Sequence, residues 1–526
     1  MTDEVTFAGP SGDKEKIMTK INGFPKLSAE EAVAQIPHGA TVAFSGFTPA
    51  GAAKAVPRAL ASRALDLHKK GEPFKIRVLT GASCGESIDE ALAEAEAIAW
   101  RAPYQSSPTL RRQINRQQVE YVDMHLSHVP QMVSYGFFGK IDYAVVEATE
   151  ITQDGRVFLS TSIGASPSYL KYAEKVIIEI NHYHSTRLRE MADIMIVPPP
   201  PYRSTLPIHD PLNKIGWPYA AVDPKKVVAV VENNEADHVP PFAPPLQASE
   251  KIAGHLVRFL VEEMRAGRIP GDFLPLQAGV GNVSNGVMSA LGKHPDIPPF
   301  KMYSEVFQDS QIELMEQGKL LAASTTALTV GPERLERIYE NMDFFGPRLV
   351  LRPQEISNNP GIIRRLCVIA MNTALEVDVY GNVNVTHVGG TQVVNGIGGS
   401  ADFCRNSYLS ILMCPSIAKE GKISAIVPMC PHIDNTEHSV TVIVTDQGVA
   451  DLRGLGPAQR AKTIIHNCAH PAYRPYLYQY LLKGRIGHIR HDLETCFEMH
   501  RNLQQYGAML PDLTISEETE TVTTCA

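Results

Sequence analysis

Four segments in the second half of the chain combine residue types and spacing that could do chemistry. Glu305, in MYSEVFQDS from Met302, sits between Tyr303 and Phe307. Burial there would raise its pKa and weaken its hydration shell, favouring a carboxylate nucleophile; the alternative is an ordinary surface carboxylate at a strand end. In LQAGVGNVSNGV from Leu276, Gly279 and Gly281 let the backbone approach a ligand, and their amides could serve an anion or a developing oxyanion. The segment lacks the third glycine of a dinucleotide fingerprint and the Lys-Ser/Thr of a phosphate loop, so it also reads as a tight strand-to-helix turn. In ISNNPGIIRRL, Asn358 and Asn359 precede Pro360, which suits a turn into a helix with Pro360 as its first residue, or an amide facing a cleft. VNGIGGSADF places Gly396, Gly398 and Gly399 close together, and Lys419 and Lys422 follow as charges that could meet phosphate. Taken singly, these last read as a loop and solvated lysines.

The elements around these segments read as α/β. Apolar, β-branched runs recur at Ile76 (IRVLTG), Tyr143 (YAVVEAT), Lys175 (KVIIEI) and Lys226 (KVVAVV), as buried strands do. Ala- and Glu-rich stretches fall between some of them, and DEALAEAEAIAW from Asp89 is expected to be helical. The rhythm predicts mainly parallel sheets. Proline-rich stretches from Pro198 and Val239 suit neither helix nor central strand and place a boundary near residue 245. Two domains are therefore expected, 1–244 and 245–526, facing a shared cleft, with the second carrying Glu305. Ser249 is expected to cap a helix bearing Ile252, Leu256, Phe259 and Leu260. KISAIVPM from Lys422 and SVTVIVTDQG from Ser439 read as further strands, and the polar tail from Ile515 as frayed.

Bulk properties narrow the function classes. A chain of 526 residues exceeds what one core usually covers, and 44% hydrophobic with 20% charged residues suits a packed globular protein. A net charge of −8 argues against a general nucleic-acid binder. The eight cysteines form no C-x-x-C pair, which fits reduced thiols rather than a zinc knuckle. The acidic N-terminus has no apolar signal core, and no uncharged apolar run reaches membrane-spanning length. A cytoplasmic location without membrane or nucleic-acid partners is expected.

In combination the motifs are far more specific. GVGNVSN, SEVFQDS, SNNPGIIRRL, NGIGGSADF and TDQGVADLRGL, in this order, resemble the acetyl-CoA hydrolase/transferase family of class I coenzyme A transferases, most strongly its succinyl-CoA:acetate CoA-transferase members. The likeness runs from SGFTPAGAAKAVPRAL near Ser45 to CAHPAYRPYL near Cys468. It implies two related α/β lobes with the active site between them, in a homodimer. It implies Glu305 as the catalytic glutamate and Gly279, Val280, Gly281, Asn282 and Val283 as the CoA-binding loop. Asn395, Gly399 and Lys419 are implied as further CoA contacts, and the Val280 and Gly399 amides with the Asn358 carboxamide as the oxyanion site. Two departures bear on acceptor specificity: Asp446-Gln447-Gly448 stands where bacterial relatives carry Glu-Gln-Gly, and Cys84 lies beside Ser83 in GASCGES.

The chemistry so implied is exchange of CoA between short carboxylates, succinate and acetate first, through a glutamyl-CoA thioester in two half-reactions. It calls for no metal or cofactor beyond CoA as co-substrate. Three rivals are weighed beside it: an acetyl-CoA hydrolase on the same scaffold, a non-catalytic acyl-CoA-binding protein, and a metal hydrolase using His432, Asp434, Glu437 and His438 in PHIDNTEHSV. The last spacing is not H-E-x-x-H, and a turn before a strand explains it equally.

Overall fold

The computed structural model describes residues 20–240 and 247–513. The expectations for the polar tail, the extreme N-terminus and part of the proline-rich stretch lie outside the described residues. The chain forms two compact units, each discontinuous in sequence. The first comprises Met1–Pro241, Phe300–Leu366 and Asn395–Asp402, and the second Phe242–Pro299, Cys367–Val394 and Phe403–Ala526.

The first unit is built on strands β1 (Thr41–Phe44), β2 (Ile76–Leu79), β3 (Ile98–Ala102), β4 (Glu120–Tyr121), β5 (Tyr143–Ile151), β6 (Arg156–Leu159), β7 (Lys175–Asn181) and β8 (Val227–Asn233). β1 pairs in parallel with β2 and β5, β2 with β3, β3 with β4, β5 with β7, and β7 with β8; β6 alone of these runs antiparallel, against β5. Central strands buried on both faces need apolar residues at nearly every position, which is why they read as unbroken apolar runs. Helix α1 (Ala55–Lys69) covers one face through Val56, Leu60 and Ala64.

The Ala-rich stretch after Asp89 departs from the expected long helix. A π-helical turn at Glu86–Glu90 and a single α-turn at Ala91–Glu94 end at Glu96, whose φ is +50°, and Ile98–Ala102 is strand β3. Tertiary pairing overrides local propensity here: Arg101 on β3 is fully buried and donates from Nε to Asp89 at 2.8 Å, which anchors the strand beneath the turn.

The second unit opens with helix α2 (Gln247–Arg265), in which Ser249 is a buried helical residue rather than the expected cap, because the helix is already formed at Gln247. Strand β9 (Leu276–Ala278) then leads into helix α3 (Asn282–Lys293). The chain next contributes β10 (Phe300–Tyr303), β11 (Val306–Phe307), β12 (Leu320–Thr325), β13 (Ala327–Leu328) and β14 (Leu349–Leu351) to the first unit. β12 pairs in parallel with β10 and β14, and β11 with β13. Helices α4 (Gln354–Ser357) and α5 (Pro360–Arg365) follow. The second unit is completed by β15 (Ile369–Thr373), β16 (Leu409–Met413), β17 (Val442–Thr445) and β18 (Gly448–Asp451), the order being β9-β15-β16-β17 in parallel with β18 closing as an antiparallel hairpin. Helix α6 (Ser400–Asn406) precedes β16. Both units are thus α/β with mainly parallel strands, as expected.

A buried charge network braces the first unit. The Lys54 ammonium donates to Glu147 at 2.6 Å and to Asp237 at 2.9 Å, and His184 Nε2 lies 3.3 Å and 3.6 Å from the same two carboxylates. Ser160 and Asn181 also donate to Glu147, and Thr161 to Asp237. Glu147, His184 and Asp237 are ligand types that could hold a metal ion. The lysine already supplies a cation against both acids, and ionic pairing satisfies the cluster. Burial alone would lower the His184 pKa, but Asp237 and Glu147 outweigh it and hold it at about 9; burial would raise Asp237, but Lys54 and His184 hold it well below its ordinary value. The His184 contribution is therefore complete below its ordinary 6.5 and lost as pH rises through about 9; that of Asp237 is present above its ordinary 3.8 and lost on acidification. Lys54→Met leaves two buried carboxylates short of a counter-charge and should lower stability by about 3–5 kcal/mol in denaturant unfolding. A loss below about 1 kcal/mol would contradict the bracing role.

Candidate functional site

Glu305 lies at a break in the β-ladder. Ser304 N donates to Ser324 O at 2.9 Å, closing the β10–β12 pairing, and the ladder resumes with Val306 opposite Ala327. Between them the Glu305 carbonyl accepts from Thr326 N at 2.8 Å and from Thr325 Oγ1 at 2.5 Å. The backbone of Glu305 is therefore fixed by neighbours on the adjacent strand, and its side chain leaves the sheet from a rigid base.

Asn358 reaches the same point from α4. Tyr303, fully buried, donates its hydroxyl to Ile356 O, and Gln354 Nε2 donates to Leu126 O at 2.8 Å, so the short helix is held at both ends. Asn358 follows it with φ −101° and ψ 14°, in the sparsely populated bridge region where active-site residues often sit. Asn359 then caps α5, accepting from Gly361 N and Ile362 N, and Pro360 is the first helical residue as expected. The completely buried Asn358 side chain donates from Nδ2 to Glu305 Oε1 at 2.5 Å, and its Oδ1 accepts from Ser357 Oγ at 2.8 Å.

Gly399 closes the cluster. A methyl group at its Cα would overlap the Glu305 carboxylate and Asn358 Nδ2, so only glycine lets the backbone lie this close. The loop carrying it is tied to the first sheet: Tyr121 OH donates to Asn395 O at 2.9 Å, Ile397 N to the Asp123 carboxylate at 2.8 Å and 3.0 Å, and Leu126 N to Gly398 O at 3.2 Å. Phe47, Ala50, Ala82, Leu126, Val306 and Ala327 form an apolar cluster against which Tyr104 packs. Glu305 itself is half-buried and keeps an accessible edge. Burial of its carboxyl pushes the pKa up to about 7; the Asn358 hydrogen bond offsets part of this, and the nearby Asp402 charge adds to it.

The structure thus brings Glu305, Asn358, Asn395 and Gly399 together within the first unit. Gly279, Val280, Gly281, Asn282 and Val283 lie in the second unit, at the turn from β9 into α3. Gly281 adopts φ +120° as the residue before the helix, and Val280 is exposed. This is the strand-to-helix turn read from the sequence, and its position at the N-terminus of a 12-residue helix also suits an anionic ligand. Lys419 stands exposed at φ +48° in the turn of a two-stranded ribbon formed by Ile417–Ala418 and Ile423–Ser424. In the same unit His432 Nε2 pairs with Asp434 at 3.1 Å, while Asp434 accepts from Val385 N and Thr386 Oγ1; His438 pairs apart with Glu437. These groups brace a turn rather than converge on one point.

Sequence reading passed over Asp402, Ser127, Asp123 and Tyr121. Asp402 stood inside the glycine-rich motif, but its partner Ser127 is 275 residues away. Nothing in the local pattern of either residue signals the other.

Comparison with known proteins shows the family of the chain. Residues 13–232 match the acetyl-CoA hydrolase/transferase N-terminal domain and residues 335–481 the C-terminal domain. The chain is 56% identical over 485 residues to a propanoyl-CoA:succinate CoA transferase of Escherichia coli K12, covering 92% of this chain and 99% of that one. It is 44% identical to a succinyl-CoA:acetate CoA-transferase of Clostridium kluyveri, covering 92% and 90%. It is 41% identical to an acetyl-CoA hydrolase of Saccharomyces cerevisiae, covering 92% and 95%. The fold is similar to that of RipA from Yersinia pestis, with a TM-score of 0.66 at 24% identity over 86% of this chain and 96% of that one. The chain belongs to the acetyl-CoA hydrolase/transferase family and is an enzyme.

Proposed function

We propose that this enzyme exchanges coenzyme A between short-chain carboxylates, with succinyl-CoA and acetate as the leading pair and Glu305 as the covalent carrier. The observation that carries the reading is the Glu305 carboxylate held between the Asn358 carboxamide and the Gly399 backbone, in surroundings that remove part of its hydration.

In the first half-reaction the Glu305 carboxylate attacks the acyl-CoA carbonyl, and collapse of the tetrahedral intermediate expels CoA thiolate and leaves an acyl-glutamyl anhydride. The thiolate attacks the glutamyl carbonyl, releasing the first carboxylate and leaving a glutamyl-CoA thioester. A second carboxylate reverses these steps. Serine or cysteine could not serve, because an ester or thioester lacks the anhydride's activation. Each tetrahedral step places negative charge on an oxygen, and a preorganised donor is worth about 3 kcal/mol there. Asn358 Nδ2 is fixed beside Glu305 to act as such a donor, and the Val280 and Gly399 amides are assigned the same role in this proposal. Gly279, Gly281, Asn282, Val283, Asn395 and Lys419, with Val280 and Gly399, are assigned to CoA, which enters as co-substrate; Lys419 contributes a charge contact to phosphate. Cytoplasmic location and a homodimer also belong to this reading, as does a division at 244/245 into two related sequence domains, which differ from the compact units in that Phe300–Leu366, with Glu305, packs in the first unit. Among the described residues no helix is long and apolar enough to cross a membrane.

Hydrolysis is the second reading, favoured by the 41% identity to the yeast acetyl-CoA hydrolase. A matrix of acyl-CoA donors and carboxylate acceptors, with a water-only arm, separates the two. CoA transfer that depends strictly on an acceptor carboxylate is expected; undiminished thioester loss without acceptor would replace transfer by hydrolysis.

Because the reactive form of Glu305 is the carboxylate, activity should fall as pH falls through its pKa. The acid limb of kcat/KM is expected near pH 7, the value to which burial raises the carboxyl. A limb at the ordinary glutamate value of 4.5 would contradict the desolvated site.

A further inference from the structure

Asn358 Nδ2 carries two hydrogens and faces two carboxylates. It lies 2.5 Å from Glu305 Oε1 and 3.5 Å from Asp402 Oδ2. A carboxamide can rotate by half a turn and exchange its oxygen for its nitrogen at almost no steric cost. With Oδ1 toward Glu305, the site would present an acceptor where the proposed reaction needs a donor. Asp402 selects the productive orientation, because an ionised carboxylate can only accept, whereas the Ser357 hydroxyl can turn to serve either end of the amide. Ser357 Oγ donates to Oδ1, and Asp402, an acceptor when ionised, faces the amino end.

Asp402 is itself placed with care. It is buried on the first turn of α6, and it accepts from Ser127 Oγ at 2.7 Å on one oxygen and from Ser127 N at 3.1 Å on the other. A lone buried carboxylate is costly unless its oxygens find donors. Ser127 and Asn358 are such donors, and they offset part of the cost of the charged form beside the amide. Asp402 reaches the proposed reacting carboxylate through the Asn358 amide that both face.

We propose that Asp402 is a positioning residue for CoA transfer: it fixes the Asn358 carboxamide with its amino group toward Glu305 and places a second negative charge beside the nucleophile. The inference rests on the functional reading above. The second effect has a sign. Two neighbouring carboxylates resist simultaneous ionisation, so the Asp402 charge keeps Glu305 more basic than burial alone would. Burial raises Asp402 itself to about 6, with the Ser127 hydrogen bonds offsetting part of that rise. The other titratable groups facing the pair are Tyr104, which senses the Glu305 charge and lies beside Asp123, and His128, which faces Asp402. Neither bonds to the Asn358 amide.

The two members of the device therefore shift the acid limb in opposite directions when removed. Asp402→Asn deletes the charge with little change of shape, and the limb of kcat/KM should move to lower pH. Asn358→Ala deletes the hydrogen bond that favours the Glu305 carboxylate, and the limb should move to higher pH. Asp402→Asn should also lower kcat about 10- to 100-fold, as loss of orientation at a reacting group does, while KM for acyl-CoA stays unchanged. Ser127→Ala, which loosens Asp402 without removing its charge, should lower kcat in the same direction by a smaller factor.

The experiment measures acyl-CoA consumption with and without acceptor across pH 5–9 for wild type and these three variants. The expected result is the opposed pair of limb shifts with unchanged KM. A limb in Asp402→Asn that stays at the wild-type position, with kcat unaltered, overturns the positioning role while leaving the transfer reading intact. If Asp402→Asn fails to fold, Ser127→Ala decides: wild-type kcat in that variant overturns the proposal. Failure of the wild type to consume acyl-CoA at all overturns the functional reading, and the inference falls with it.

Discussion

The structure around the candidate site depends on one close approach, that of the Gly399 backbone to the Glu305 carboxylate. A side chain of any size at position 399 would occupy the space of the carboxylate and displace the Asn358 amino group beside it. The consequence is a carboxylate that exchanges water for fixed dipoles. Its pKa rises because burial outweighs the single Asn358 hydrogen bond, and that imbalance is what a nucleophilic carboxylate needs. A fully satisfied carboxylate would be a weaker nucleophile, and a solvated one would leave the proposed intermediate open to water.

Holding that approach requires rigid walls, and the first unit supplies them from distant parts of the chain. Glu305 is fixed by the strand beside it, Asn358 by a short helix anchored through Tyr303 and Gln354, and the glycine loop by Tyr121 and Asp123. Leu328 N donates to Thr161 O, and Thr161 also donates to Asp237, so the ladder beside Glu305 connects directly to the buried Lys54 network. Burying two acids, a lysine and a histidine is unfavourable unless each charge finds partners. Here each does, and the resulting rigidity lies one strand away from the site.

The sheets were legible in the sequence where strands are buried. YAVVEAT, KVIIEI and KVVAVV became the adjacent strands β5, β7 and β8, because burial on both faces leaves an unbroken apolar signature. The stretch after Asp89 was not, since its alanines favour a helix locally while the Arg101–Asp89 pair and pairing with β2 impose a strand. Glu305, Asn358 and Gly399 could be picked out because each lies in a compact motif whose order along the chain resembles one family. Their meeting point could not be derived from spacing, and neither could Asp402–Ser127, for contacts across hundreds of residues leave no periodicity in a single chain. The metal reading of His432, Asp434, Glu437 and His438 dissolves for the converse reason: residues close in sequence pair off locally around a turn.

The central claim is that Glu305 itself carries coenzyme A during turnover. The most direct measurement is mass spectrometry of proteolytic peptides after brief incubation with acyl-CoA in the absence of an acceptor acid. A CoA adduct on the peptide containing Glu305, lost on addition of a carboxylate acceptor, is the predicted result. Turnover with that peptide unmodified throughout, or with the adduct on another residue, would contradict the account.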